Sequence, residues 1–256
     1  MSVAGRPSPS SQRYERSGGL GGLGGLGGVV VGVGGCPFGD TACHCTLLGL
    51  VRPAPSVVGM NENHARVCGG PEWAEFMQTE LLPSFLSDVD LGRDLLELGP
   101  GPGASTQWLG KRVERLVVLE LGDEAARKLA DRFADTNVQV LLGDATAMTF
   151  DDESFDSVGA FTMLHHVPTV ADQNRLLGEA LRVLRPGGVL VGSDSLPSVR
   201  LHHFHADDVY NPIEPAALLT RLQTLGFSEI TIIVDAHLKF IARKAPRLEE
   251  QEVETS

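Results

Sequence analysis

The chain has 256 residues, 42% of them apolar, enough for one α/β domain with a substantial core and a modest appendage but not for two full domains. Its formal charge of −12 disfavours a nucleic-acid partner, because binding a phosphate backbone needs a basic face that releases counterions. Residues 1–59 carry four basic and two acidic side chains, net +2, so residues 60–256 carry −14 and the folded part is the acidic part.

Residues 1–59 open on Ser, Pro and Arg, pass through a Gly-Gly-Leu repeat at 18–26, and show neither helical nor strand period; a disordered extension is expected. From Gly18 to Gly35 no residue is charged, yet 11 of these 18 residues are Gly, too little hydrophobicity for a membrane span or a signal core. Organised sequence starts at Asn61, which makes Met60 the expected start of translation. Cys36, Cys43 and Cys45 precede residue 60 and only Cys68 follows it, so the folded domain has no internal disulfide partner and a cytoplasmic location is expected. Cys43-His44-Cys45 lacks a second pair at zinc-finger spacing, and no metal is expected there.

A helical cap is expected over 60–93. Pro71 at a first turn, Glu72 beside it, and Trp73, Phe76, Met77 and Leu81 on one face predict a helix ending near Pro83. From Asp94 strands and helices alternate, the pattern of a doubly wound, mostly parallel sheet. Strands are expected at 94–98, 115–121, 138–142, 157–162 and 189–194, with helices at about 104–111, 123–134, 170–184 and 215–225. The closing strands, 228–234 and 237–243, are joined too tightly for a crossover and should be antiparallel, giving seven strands. The domain ends near 245, and the Glu-rich tail 246–256 should be solvated.

The segment Glu97-Leu98-Gly99-Pro100-Gly101-Pro102-Gly103 stands where the first strand hands over to a helix. Glycines there let the backbone pass close beneath a nucleotide-like ligand. Gly99, Gly101 and Ala104 also satisfy the dinucleotide spacing G-x-G-x-x-G/A, so spacing alone admits NAD as well as S-adenosylmethionine. The neighbours favour the second ligand. Pro100 and Pro102 remove N–H donors a pyrophosphate needs, and Glu97 repels phosphate but can hold an ammonium directly or through water. Glu97, Glu120 and Asp144 fall at or just past strand ends, three acids that suit a ligand carrying a sulfonium and an ammonium.

Leu95 to Gly103, Val117-Val118-Leu119-Glu120, Gly143-Asp144-Ala145, Phe155-Asp156-Ser157-Val158, Leu164-His165-His166-Val167 and Leu181 to Gly188 together resemble the motifs of class I S-adenosylmethionine-dependent methyltransferases over about 95–194. The resemblance implies a Rossmann-like methyltransferase fold. It assigns Glu97 to the methionine amino end, Gly99, Gly101 and Gly103 to close passage under the cofactor, Glu120 with Leu121 to the ribose, Asp144 with Ala145 to the adenine, and Phe161 to the sulfonium side. Asp156 reads instead as a structural cap, and Pro186-Gly187-Gly188 as a helix stop and turn.

Methyl transfer from a sulfonium needs mainly positioning in a water-poor cleft, so a dedicated base is optional. Where one is needed, the candidates are His202, His203 and His205 after the fifth strand, His165 (with His166 beside it), and His64 of the leading segment, which with Trp73 is placed to close over substrate. Metal binding by the 202–205 group is disfavoured for want of an obvious carboxylate ligand beyond Asp207 and Asp208. The expected acceptor is a small molecule. A cofactor-binding protein without turnover and an NAD-dependent oxidoreductase remain the alternatives.

Overall fold

The computed structural model describes residues 61–247. The expected disordered extension, the start at Met60, the Cys43-His44-Cys45 group and most of the acidic tail lie outside the described residues. Seven strands form one sheet in the order β3-β2-β1-β4-β5-β7-β6. They are β1 (Asp94–Leu98), β2 (Arg115–Glu120), β3 (Val138–Leu142), β4 (Phe155–Phe161), β5 (Leu184–Ser195), β6 (Phe227–Val234) and β7 (His237–Lys244). The first five run parallel, and β7 pairs antiparallel with both β5 and β6, as their short connection requires.

The helices are α1 (Glu62–Cys68), α2 (Pro71–Phe76), α3 (Pro83–Leu86), α4 (Ala104–Leu109), α5 (Asp123–Arg132), α6 (Val170–Val183), α7 (Val199–Phe204) and α8 (Pro215–Leu225). Strand alternation sorts the core into two layers. Leu96, Leu98, Val117, Leu119 and Leu190 bury one sheet face with α6 and α8 through Leu176, Leu177, Leu218 and Leu222. Leu95, Leu116, Val118, Val189 and Val191 bury the other with Met77, Phe85, Trp108, Leu129 and Phe133. Glu97, between Leu96 and Leu98, therefore faces the second layer, under α4.

Pro83 does not end the leading helix. A π-helical turn, Met77–Leu81, precedes it, with the Leu82 N–H donating to the Met77 carbonyl at 3.0 Å. The widened turn accommodates a residue that has no N–H and crowds the carbonyl four positions back, so the chain continues helically to Leu86. Pro186-Gly187-Gly188 likewise fails to delay β5. The ladder begins at Leu184 opposite Phe155, slips register, and resumes at Val189 opposite Ser157, with Gly187 at φ +79°.

Asp156 has the structural role its place suggested. It accepts the Arg93 and Asp94 N–H groups at 2.8 and 2.9 Å and pairs with Arg185 at 2.6 Å, while Arg185 also reaches Asp94 at 2.9 Å. This bolts β1, β4 and β5 together at the edge away from the site. Cys68 is the free cysteine among the described residues, half-buried, its thiol pushed up to about 11 by burial and so unreactive. No helix among the described residues is long and apolar enough to cross a membrane.

Candidate functional site

The carboxyl edge of the parallel strands gathers the acids and the glycine turn. After β1 the chain takes left-handed conformations at Gly99, Gly101 and Gly103, with φ of +55°, +54° and +82°. Two of these positions are informative. A Cβ at Gly103 would stand 2.8 Å from Leu129 Cδ2 and 3.0 Å from Phe133 Cε2, so this glycine lets α5 close on the turn. At Gly101 a Cβ would meet nothing within 4 Å, so the bare backbone there faces open space.

Glu120 ends β2, and its Oε1 accepts the Gly122 N–H at 3.0 Å. Burial raises its pKa, against N–H groups of Gly122, Gly101 and Leu121 that favour the charged form. Leu121, next to it, is 46% exposed, an apolar side chain held open at this edge. Asp144, two residues past β3, accepts from the Thr146 N–H and hydroxyl, both at 2.8 Å. That local turn fixes the backbone of Asp144 and Ala145, both half-buried.

Two residues stand elsewhere than expected. Glu97 is fully buried, one oxygen accepting from the Ser105 hydroxyl and the other from Thr106 Oγ1 at 2.6 Å. Both hydroxyls come from the first turn of α4, so the carboxyl clasps helix to strand and is withdrawn from the crevice. Desolvation pushes its pKa up to about 7; the two hydroxyls oppose the rise and Glu120 adds to it. Phe161, expected beside the cofactor, is 4% exposed and packed in the second core layer, its ring lying where a Cβ on Gly159 would stand. Met163, which the sequence reading missed, takes the place at the turn: its methyl carbon lies 2.9 Å from where a Gly99 Cβ would be. Thr162 before it is held at φ +50° by an N–H bond to the Ser193 carbonyl at 2.7 Å, a strained position at the exit of β4.

The histidines regroup. His202 and His203 are exposed on α7, away from any shared role with His205, so the expected trio is not a unit. His205 turns inward and joins His64, His165 and His166. The rings of His64 and His205 are 4.7 Å apart, His64 and His166 4.8 Å, and His165 and His166 4.0 Å, with Tyr210 stacked on His205 at 4.5 Å. His64 Nδ1 lies 2.9 Å from Asp208 Oδ2, and His165 Nδ1 2.6 Å from Asp194 Oδ1. Desolvation lowers the pKa of His64, His166 and His205, with the neighbouring imidazoles adding to the effect.

The turn after β4, residues 164–167, and the segment around Asn211 are pinned to each other. Asn211 donates to the His165 and Val167 carbonyls at 2.7 and 3.0 Å, and buried Gln173 ties the Leu164 carbonyl to that of Asn211, each at 2.9 Å. Asn61 reaches Asp208, Phe204 and Ala206, which seats α1 and thereby His64 against the segment after β5. Trp73 does not join this group. It packs on Phe76 at 5.6 Å against the second layer.

Comparison with known proteins bears on this edge. Residues 96–192 match a family model described as a methyltransferase domain. The phthiotriol/phenolphthiotriol dimycocerosates methyltransferase of Mycobacterium tuberculosis is 31% identical over 130 residues, 50% of this chain and 47% of that one. The chain thus spans about half the length of the curated relatives it matches. Among solved structures, the putative methyltransferase in complex with the Haloferax volcanii Trm112 activator aligns with a TM-score of 0.57 at 18% identity, over 71% of this chain and 97% of that one. A Haemonchus contortus phosphoethanolamine N-methyltransferase 2 in complex with S-adenosyl-L-methionine aligns at 0.55 and 15%, over 69% and 56%.

Proposed function

Because the chain belongs to the class I S-adenosylmethionine-dependent methyltransferases, we propose that it moves a methyl group in line from that cofactor to a small-molecule acceptor seated against the histidine-lined side of the crevice. The observation that carries the reading is the juxtaposition on one sheet edge: a glycine turn open above Gly101, acids at the ends of β1, β2 and β3, and the imidazole group beyond β4 and β5.

The residues fit the cofactor. Open space at Gly101 admits close passage of a ligand over the backbone, and the prolines leave too few N–H donors for a pyrophosphate. Glu120 and Leu121 would hold and cover the ribose, Asp144 and Ala145 the adenine. Gly99 and Gly103 set the turn, with Met163 in the place first given to Phe161. Glu97 acts through Ser105 and Thr106, fixing the first turn of α4 beside the glycine turn. When bound, the cofactor supplies an already activated methyl group, so the protein's task is orientation and exclusion of water. His64, His165, His166, His205 and Tyr210 form a largely buried polar wall for the acceptor, and His64 and His165 are oriented by carboxylates.

The test has two arms. Calorimetry with S-adenosylhomocysteine and NAD should show binding of the first and none of the second. Incubation of metabolite extract with methyl-labelled cofactor should label a small molecule; NAD binding alone, or no label above a Glu120→Ala control, would overturn the proposal.

A further inference from the structure

We propose that His64, His166 and His205 form a binding site for one divalent transition-metal ion of zinc type, formed by α1, the turn after β4 and the residue after α7. A ring nitrogen from each lies within 4.8 Å of the others. The chemistry of the second nitrogen says which one is free. His166 Nδ1 faces the Val209 carbonyl at 3.2 Å and His205 Nδ1 the Leu201 carbonyl at 2.7 Å. A carbonyl only accepts, so both Nδ1 atoms carry the proton and both Nε2 atoms are bare lone pairs. His64 Nδ1 is held the same way by the carboxylate of Asp208. Metal-ligating histidines characteristically donate their other N–H to a carboxylate or backbone carbonyl, and all three do so here.

Two further observations point to a cation. His165, with Nδ1 on Asp194, brings its Nε2 to 3.2 Å from that of His205, a contact that needs a positive centre, a shared proton or a metal ion, beside the two nitrogens. The carboxylates of Asp194 and Asp208 are also buried, 0% and 2% exposed, and histidine is their only basic partner among the described residues. Backbone N–H groups of Asn61, His165 and Ser195 solvate these carboxylates, but with neutral imidazoles no cation faces them, and one divalent ion balances the two charges.

The donor set selects the metal. Imidazole suits zinc, copper, nickel and iron, whereas magnesium and calcium require oxygen. At a metal–nitrogen distance of about 2.0–2.1 Å, tetrahedral ligands stand about 3.4 Å apart, so the imidazoles must close by about 1.4 Å on the ion. Three imidazoles leave a coordination position open, as in sites that bind water or substrate oxygen; its use by a methyl acceptor rests on the function proposed above.

The experiment uses the untagged full chain, stripped with chelator and titrated with Co²⁺ and Zn²⁺. Expected are one bound ion per chain by elemental analysis and a tetrahedral visible spectrum without thiolate charge transfer. His64→Asn and His166→Asn should each abolish stoichiometric uptake, and Asp208→Asn should weaken it by about 10–100-fold. Circular dichroism confirms the fold of each variant. Sub-stoichiometric uptake by the unaltered chain overturns the site, as does a thiolate spectrum with binding that survives both histidine substitutions, which would place the ion on Cys43-His44-Cys45. S-adenosylhomocysteine calorimetry on the same samples separates the two proposals: cofactor binding without metal uptake removes the metal site alone.

Discussion

Replacing Glu97 by glutamine keeps shape and hydrogen-bonding capacity beneath α4 while removing a group that must ionise in a site without solvent. The unfolded chain ionises this carboxyl around pH 4.5, whereas the folded protein holds on to its proton until about pH 7. Between those values the native state binds more protons than the unfolded state, so the stability this group permits is complete below about 4.5 and is lost as pH rises through 7. At about 1.4 kcal/mol per pH unit, the separation corresponds to about 3 kcal/mol, of which about 2–3 kcal/mol is lost between pH 5 and pH 8. Urea unfolding of ligand-free protein, followed by circular dichroism at pH 5, 6, 7 and 8, measures it. Glu97→Gln should match the unaltered chain within about 1 kcal/mol at pH 5 and exceed it by about 2–3 kcal/mol at pH 8. Parallel pH profiles for the two proteins would refute the reasoning, because they would mean that Ser105 and Thr106 fully replace the lost hydration.

Glu120→Ala should weaken S-adenosylhomocysteine binding by about 1–3 kcal/mol in calorimetry, the range of a charge-assisted pair to the ribose, and an unchanged dissociation constant would remove that assignment. The glycines should separate: Gly103→Ala meets Leu129 and Phe133 and should lower stability by about 2–4 kcal/mol, strain and overpacking combined. Gly101→Ala carries only the backbone strain, about 1–2 kcal/mol, but places a methyl in the crevice and should cost more in ligand affinity than in melting temperature. Asp156→Ala leaves the Arg93 and Asp94 N–H groups and Arg185 without their acceptor and should cost about 2–3 kcal/mol in urea melts, with ligand affinity unchanged.

The sheet was legible because its information is local. Leu95, Leu96 and Leu98, with Val117 and Leu119, are apolar on both faces, as a strand between two helical layers must be, and the turn chemistry after β1 and around 235–236 marks the connections. The acids at the strand ends followed from that frame. What escaped reading was non-local. Helices α1 and α7 are seven and six residues long, too short to announce themselves by period, and are placed by Asn61, His64 and Asp208. The imidazole group draws from segments near 64, 165 and 205 that share no spacing rule. Glu97 was read as facing ligand because strand position does not say which way the carboxylate leans; the signal available was the hydroxyl pair Ser105-Thr106 on the first turn of the following helix. Phe161 was misplaced because the bare Gly159 beside it gives its ring room to fold back.

The clamp between Asn61 and Asp208 spans 147 positions of sequence. During synthesis at about 5–20 residues per second, α1 emerges roughly 7–30 s before the residue that seats it. For that interval His64 has no carboxylate and α1 no dock, while β1 to β4 can already pair. The histidine pocket therefore waits on the ribosome until β1 to β5 have all been made, and a chain arrested before Asp208 would carry a formed glycine turn beside an unmade acceptor wall.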